Sequence, residues 1–303
     1  MWKTDGEVVV TGSLGRVGLA VCEELERHSI PWRGVDFLAS PVFTASGRFA
    51  HVKYDLRDYG AAIEALSGAS AVIHSAAIAF PSFEPDQKTF NDNVMSAYNV
   101  FSAASFLGLE RVIWLSSEEV YGHPFGEKLP SYLPIDEGHP LLMGNSYSLA
   151  KSVTEQMANF FHETGKSQFL GMRSTVVQGE EDYVLYPGFT ANPESRVWAL
   201  WSYIDARDLA RACRLALNCD YPSASVVNIA AEDTVVDIPS RELARQFFPD
   251  VELCWPSKAN RYASFCDSKA AENLIGFKPE ISWRHKRAVQ DTASPRILKV
   301  QEA

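Results

Sequence analysis

The sequence predicts an α/β fold, a doubly wound parallel sheet with a small C-terminal lobe. Three observations predict it. Over residues 1–175, short β-branched runs alternate with stretches of helical apolar spacing. The first run ends in a glycine-rich turn that opens straight into a helical stretch. Beyond Gly179 the alternation gives way to a segment rich in Pro, Gly, Asn and acidic residues. Alternating strands and helices imply parallel strands covered on both faces. Such sheets take ligands beyond the C-terminal ends of their strands.

Residues 7–11 read as the first strand, and residues 14–28 as a helix with Val17, Ala20, Val21 and Leu25 on its apolar face. Further strands are expected at 32–36, 50–54, 71–75, 112–116 and 169–173, with helices at 59–66, 89–107 and 147–163 between them. Residues 180–196 read as loop. The pattern then predicts a helix at 205–217, a strand at 226–229, a helix at 240–247 and a last helix at 270–275 stopped by Gly276. Residues 1–178 are thus expected to form the main domain. Residues 179–293 would form a small substrate lobe, with the helix at 205–217 packing back on the main domain, and 294–303 a frayed tail. The cleft between the two parts is the expected ligand site.

Composition narrows the classes. The 303 residues are 46% hydrophobic and 22% charged, with a net charge of -10, ordinary for a globular protein. An acidic chain is poorly suited to nucleic acid or an anionic membrane, although a small anionic substrate needs only local positive charge. Residues 1–7 are polar and the apolar run at 8–10 is too short for a signal segment or membrane span. The five cysteines form no Cys-x-x-Cys pair and no zinc spacing. No metal site is expected, and reduced thiols fit a cytoplasmic location.

The stretch Val8-Val9-Val10-Thr11-Gly12-Ser13-Leu14-Gly15-Arg16-Val17-Gly18 is a strand, a tight turn and a helix start. Gly12 permits the turn, Gly15 lets backbone approach a pyrophosphate, and Gly18 lets helix and strand pack closely; the helix N-terminus offers free N–H groups to phosphate. A glycine triplet alone also occurs in ordinary βα turns. Here it sits on the first strand of an alternating fold, and Asp36 ends the second strand 24 residues after Gly12. A carboxylate there accepts hydrogen bonds from ribose hydroxyls and repels a 2′-phosphate. The reading is therefore a Rossmann-type sheet that binds NAD in preference to NADP. Arg16 is the one loop residue that could pair with the extra phosphate.

Further motifs resemble the extended short-chain dehydrogenase/reductase family, the NAD-dependent epimerase/dehydratase type. Besides the glycine loop, Asp55-Leu56-Arg57-Asp58 resembles the stretch after the third strand, where Asp55 and Leu56 would flank adenine. Val72-Ile73-His74-Ser75-Ala76-Ala77 is similar to the fourth-strand motif that backs the cofactor, with Ser75, Ala76 and Ala77 toward it. Asn93-Val94-x-x-x-Tyr98-Asn99-Val100 is similar to the central helix. Leu115-Ser116-Ser117-Glu118-Glu119-Val120-Tyr121-Gly122 resembles the fifth-strand catalytic segment. Tyr147-Ser148-Leu149-Ala150-Lys151 matches the Tyr-x-x-x-Lys signature, with Glu155 one turn on. Tyr203-Ile204-Asp205-x-x-Asp208-Leu209-Ala210 matches a C-terminal marker. The resemblance runs in the family's order from residue 8 to about 280.

Tyr147 and Lys151, four apart, share a helix face. The Lys151 ammonium, together with a positive nicotinamide ring, is expected to lower the phenol's proton affinity and make Tyr147 the proton carrier, while Ser117 holds the substrate oxygen. The resemblance gives Glu119 the slot of an acid that does extra proton work in sugar dehydratases, with Glu118 beside it toward the substrate. A structural carboxylate is the equal alternative.

The resemblance also bears on the substrate. Nucleotide-sugar enzymes of the family carry a long insertion where this chain has only residues 180–201, and Val176 stands where their binding asparagine is expected. A short lobe of this kind is closer to uronate dehydrogenases. The expected reaction is hydride removal from a secondary or hemiacetal hydroxyl of a small sugar or sugar acid. The alternative is an epimerase or dehydratase acting on a nucleotide sugar with its cofactor recycled in place. Arg196 is a candidate clamp for a substrate carboxylate, with a surface arginine as the alternative. Trp198, Trp201 and Tyr203 read as core, His74 as structural, and Ser75, Ser82 and Tyr121 as polar neighbours of the substrate. The helices at 89–107 and 147–163 build a two-fold contact in the family. A homodimer is therefore expected, with Val100, Phe101, Met157, Phe160 and Phe161 suited either to it or to packing on the sheet.

Overall fold

The computed structural model describes residues 6–38, 51–81, 83–122, 124–125, 129–221 and 224–285. Its centre is a seven-stranded, wholly parallel sheet built from β1 (Val8–Thr11), β2 (Trp32–Asp36), β3 (His51–Lys53), β4 (Ala71–His74), β5 (Arg111–Ser117), β7 (Gln168–Ser174) and β10 (Ser225–Ile229). The strand order is β10-β7-β5-β4-β1-β2-β3. The chain reverses direction across the sheet between β1 and β4, and the crevice outside their C-terminal ends is where such a sheet receives a ligand.

Helices cover both faces because the strands are apolar on both. On one face α1 (Arg16–Arg27) lies against α6 (Ala206–Leu217), and with α8 (Lys269–Ile275) they bury Val21, Leu25, Leu209 and Phe277. On the other face α2 (Tyr59–Leu66), α3 (Asp86–Leu107) and α4 (Ser146–Thr164) close over Phe101, Trp114 and Phe169. Val100, Phe101 and Phe161 belong to this sheet-facing core, whereas Phe160 is exposed.

The C-terminal part is woven into the sheet rather than laid over its edge, since β10 supplies an edge strand. Its separate core gathers Tyr186, Trp201, Tyr203, Phe248 and Phe265, together with α7 (Ser240–Phe247). Two two-residue parallel pairs tie this part together. One joins β6 (Tyr132–Leu133) to β11 (Glu252–Leu253), and the other joins β8 (Val177–Gln178) to β9 (Ile204–Asp205). Strands of two residues carry no periodicity and escape a pattern reading.

The loop expected at 180–196 is instead mostly helical. It holds 3₁₀ turns at Glu180–Leu185 and Pro193–Ala199 flanking α5 (Tyr186–Ala191). The prolines that suggested loop, Pro187 and Pro193, lie in first turns, where no intrahelical N–H is needed.

Candidate active site

A cleft of about 970 Å³ runs along the C-terminal ends of the strands, from the glycine loop and Asp36 past Ser75 to Ser117, Tyr147 and Lys151. That is the upper end of the range for small-molecule and cofactor sites. Backbone geometry builds its floor. Gly12 has φ +66, and a Cβ there would stand 2.7 Å from the Ala76 backbone. A Cβ on Gly18 would stand 2.1 Å from the Gly12 carbonyl oxygen. Side chains at either position would fill the cradle between turn, helix and β4.

Asp36 is buried and holds the loop, its Oδ2 accepting from Leu14 N at 3.1 Å and its Oδ1 from Leu38 N at 3.1 Å. Leu14, Gly15, Arg16 and Val17 line the cleft. Ser13 turns away, its hydroxyl 2.8 Å from His51 Nδ1 in the interior, so it offers a ligand only backbone. Gly15 caps α1, leaving the helix's first N–H groups facing the cleft. This cradle, helix terminus and carboxylate fit a dinucleotide.

Arg16 spans the mouth. It donates to the Val177 carbonyl at 3.2 Å, pairs with Asp182, and reaches Glu181 at 3.5 Å. Asp182 Oδ2 also accepts from Gly179 N at 2.8 Å. The glycine loop is thus latched to the 3₁₀ turn after β8.

Two asparagines of α3 staple the cleft's side loops. Asn93 accepts from Ile78 N at 2.7 Å and donates to Ile78 O at 3.1 Å. Asn99 donates to Leu56 O and Arg57 O, each at 2.9 Å. Asp55 and Leu56 line the cleft, and Asp55 is paired with Arg57. Nothing in the spacing of Asn99 marks it as the fastening of a loop 43 residues earlier. Ser75 donates to Thr11 O at 2.6 Å, and His74 Nδ1 lies 2.7 Å from Thr11 Oγ1. Burial, helped by the Lys151 charge, brings the His74 imidazole down to about 3, so it is a neutral structural group.

At the catalytic end, Ser117 closes β5 and accepts from Glu119 N at 3.2 Å. Tyr147 and Lys151 face it from α4, both buried. Lys151 Nζ donates to Leu115 O at 2.7 Å and lies 5.5 Å from the Tyr147 ring centroid. Burial brings the Lys151 amine down to about 8, against the pull of Glu119 and Glu155. Burial, then Glu119 and Glu118, hold the phenol well above its ordinary value, and only the Ser117 hydroxyl works downward.

Glu119 is buried, lines the cleft, and accepts from Asn145 Nδ2 at 2.9 Å. Burial raises its carboxyl, while Asn145 and Lys151 oppose. Glu118 also lines the cleft and accepts from Val176 N at 3.1 Å; burial raises it strongly, and Arg196 opposes.

Arg196 is not among the cleft-lining residues. Its guanidinium is buried between Phe189 and Trp198, at 5.0 and 4.8 Å from their ring centroids, where it faces Glu118 electrostatically. Trp201 and Tyr203 are core as expected, but Trp198 lines the cleft, edge-on to Phe80 at 6.3 Å. Tyr121 is no substrate neighbour: it is buried between Arg173 and Asn228. Ser82 lies outside the described residues.

Residues 8–230 match the model of the NAD dependent epimerase/dehydratase family. A putative UDP-glucose 4-epimerase of Methanocaldococcus jannaschii is 26% identical over 226 residues, 65% of this chain and 68% of that protein. A uronate dehydrogenase of Pseudomonas syringae pv. tomato is 27% identical over 157 residues, 52% of this chain but only 54% of that enzyme. Among solved structures, a short-chain dehydrogenase/reductase superfamily protein from Agrobacterium tumefaciens with bound NAD superimposes with a TM-score of 0.68 at 22% identity, covering 94% of this chain and 99% of that one. MoeE5 in complex with UDP-glucuronic acid and NAD gives 0.67 at 18% identity, covering 93% and 100%. With the family model spanning most of the chain, and its glycine cradle and Ser-Tyr-Lys group brought to one cleft, this protein belongs to the NAD-dependent epimerase/dehydratase family, the extended branch of the short-chain dehydrogenases/reductases.

Proposed function

We propose that the protein is an NAD-dependent oxidoreductase acting on a secondary or hemiacetal hydroxyl of a small sugar-like substrate. The observation that carries this reading is the meeting of Ser117, Tyr147 and Lys151 at the inner end of the cleft that begins at the glycine cradle. When bound, NAD supplies the acceptor for the two electrons that leave the substrate carbon. The Ser117 hydroxyl holds the substrate oxygen, and the Tyr147 phenolic oxygen carries its proton. A phenol raised by burial needs positive charge nearby to release that proton, and Lys151 is placed to supply it. Gly12 to Gly18, Asp36, Asp55, Leu56 and Ser75 to Ala77 would hold the cofactor.

The wall of the substrate end favours a neutral hydroxylated ring over a sugar acid. Glu118 and Glu119 already place two carboxyl groups there, and the cation expected to clamp a carboxylate, Arg196, is not among the cleft-lining residues and faces Glu118 electrostatically. The same two acids favour a second reading, an epimerase or dehydratase acting on a nucleotide sugar with its cofactor recycled in place. The relatives' names include both classes of reaction. We infer further that α3 and α4 form a homodimer contact, because Met95, Tyr98, Phe106, Leu149 and Phe160 are exposed on them.

The deciding experiment follows NADH formation by purified protein and NAD over free sugars, sugar acids and nucleotide sugars. NADH accumulating with a free sugar supports the first reading. A new product from a nucleotide sugar without net NADH supports the second. Tyr147→Phe should lower turnover roughly 10²- to 10⁴-fold while NAD affinity stays within a few-fold; normal turnover would refute the assignment.

A further inference from the structure

One polar side chain outside the cleft lining joins the two catalytic segments. Asn145 is the N-cap of α4, its Oδ1 accepting from Ser148 N at 2.8 Å. Its backbone N–H is held by Ser148 Oγ at 3.2 Å. With Oδ1 committed to the cap, the other end of the amide can only donate, and it donates to Glu119 Oε2 at 2.9 Å. Oε2 must therefore accept. A proton on this carboxyl is favoured on Oε1, which accepts no hydrogen bond among the described residues, on a side chain that lines the cleft.

We propose that Asn145 is a positioning residue that locks Glu119 Oε2 and presents Oε1 to the cleft as a second proton-carrying atom beside Tyr147. This rests on the reading of the cleft as a site of proton and electron removal from a hydroxylated substrate. The groups facing Glu119 are Tyr147 and Lys151 from α4, Glu118 on its own turn with Arg196 acting on that residue, and Ser117, which accepts its backbone N–H. Lys151 and Asn145 favour the carboxylate; burial favours the acid. Removing the Asn145 donor leaves burial opposed by Lys151 alone, and the carboxyl should protonate at higher pH.

The test compares Asn145→Ser with the parent protein. Serine caps a helix about as well as asparagine but has no amide donor to offer Glu119. The Glu119 carboxyl is titrated by ¹³C NMR in glutamate-labelled protein, its signal assigned with Glu119→Gln, and NAD affinity serves as the check on folding. The Glu119 titration should move up by about one pH unit, the worth of a charge-assisted hydrogen bond. Asn145→Asp, which keeps the cap and sets a second carboxylate against Glu119, should move it further. With a substrate in hand, the acid limb of kcat/KM should follow the same shift, and Glu119→Gln should remove it. An unmoved titration in both variants, with NAD affinity retained, overturns the positioning role. A titration that moves while the pH–rate profile stays put overturns the role in turnover. If no substrate of any class is turned over, the functional reading fails, and the titration still decides whether Asn145 sets the state of Glu119.

Discussion

Arg173 on β7 and Glu155 on α4 form a buried two-pronged pair, Nε to Oε1 at 2.9 Å and Nη2 to Oε2 at 2.7 Å. Ser116 donates to the same carboxylate at 2.6 Å, and Arg173 Nη1 reaches the Tyr121 hydroxyl at 2.8 Å, which in turn donates to Asn228 at 2.7 Å. The network pins the helix of Tyr147 and Lys151 to the sheet one turn past the lysine. Removing one partner strands the other charge in the interior. Glu155→Ala should therefore cost about 3–5 kcal/mol of stability, read as a lower urea midpoint. An exchange on the exposed surface of α4, Gln156→Ala, should stay within about 0.5 kcal/mol.

The glycine loop makes a graded prediction. A Cβ at Gly18 would meet the Gly12 carbonyl at 2.1 Å, whereas one at Gly15 would approach the same oxygen only to 3.3 Å. Gly18→Ala should force helix and turn apart and weaken NAD binding at least about tenfold, a loss of ~1.4 kcal/mol. Gly15→Ala should cost less. Fluorescence titration of the two variants measures the order, and equal affinities would contradict the cradle geometry.

Lys151 sets a pH dependence. Its amine is brought down to about 8 in the fold, below the ~10.4 of an unfolded lysine. Between those values the unfolded chain binds the extra proton, so this residue's contribution to stability rises with pH over that window. Below about pH 8 both states are charged and the burial penalty is present in full. The melting temperature of the cofactor-free protein, compared with Lys151→Met from pH 7 to 10, should narrow the variant's advantage as pH rises. A constant gap would mean the amine is not held low.

The latch between Arg16 and Asp182 crosses the mouth of the cofactor cleft. Opening it breaks a partly exposed ion pair and the contact with the Val177 carbonyl. Asp182→Asn keeps an acceptor for Gly179 N and removes the charge. NADH release, followed by stopped-flow fluorescence, should quicken by about three- to fivefold, as expected for a pair worth up to ~1 kcal/mol. Added salt should quicken the parent protein's release and leave the variant nearly unchanged.

Much of the fold was legible because its signals are local. The β-branched runs, the helical spacing from Val17 to Leu25, and the turn from Gly12 to Gly18 each declare their conformation within a dozen residues. The helix at Tyr59–Leu66 begins and ends where the pattern placed it. The segment 180–199 was not legible, because prolines in first turns look like breakers to a reader who cannot see where the helix starts.

The site divides in the same way. By itself the sequence determined the cradle, the acidic end of β2, and the spacing that puts Tyr147 and Lys151 on one helix face, since each depends on a few neighbouring residues and the period of the backbone. Only the tertiary structure decided that Arg196 faces Glu118 electrostatically from outside the cleft lining, that Trp198 enters the cleft, and that Asn145 holds Glu119. Those outcomes depend on burial and on contacts between residues 26 to 118 positions apart, where solvent exclusion and charge act through space and leave no periodicity in the chain.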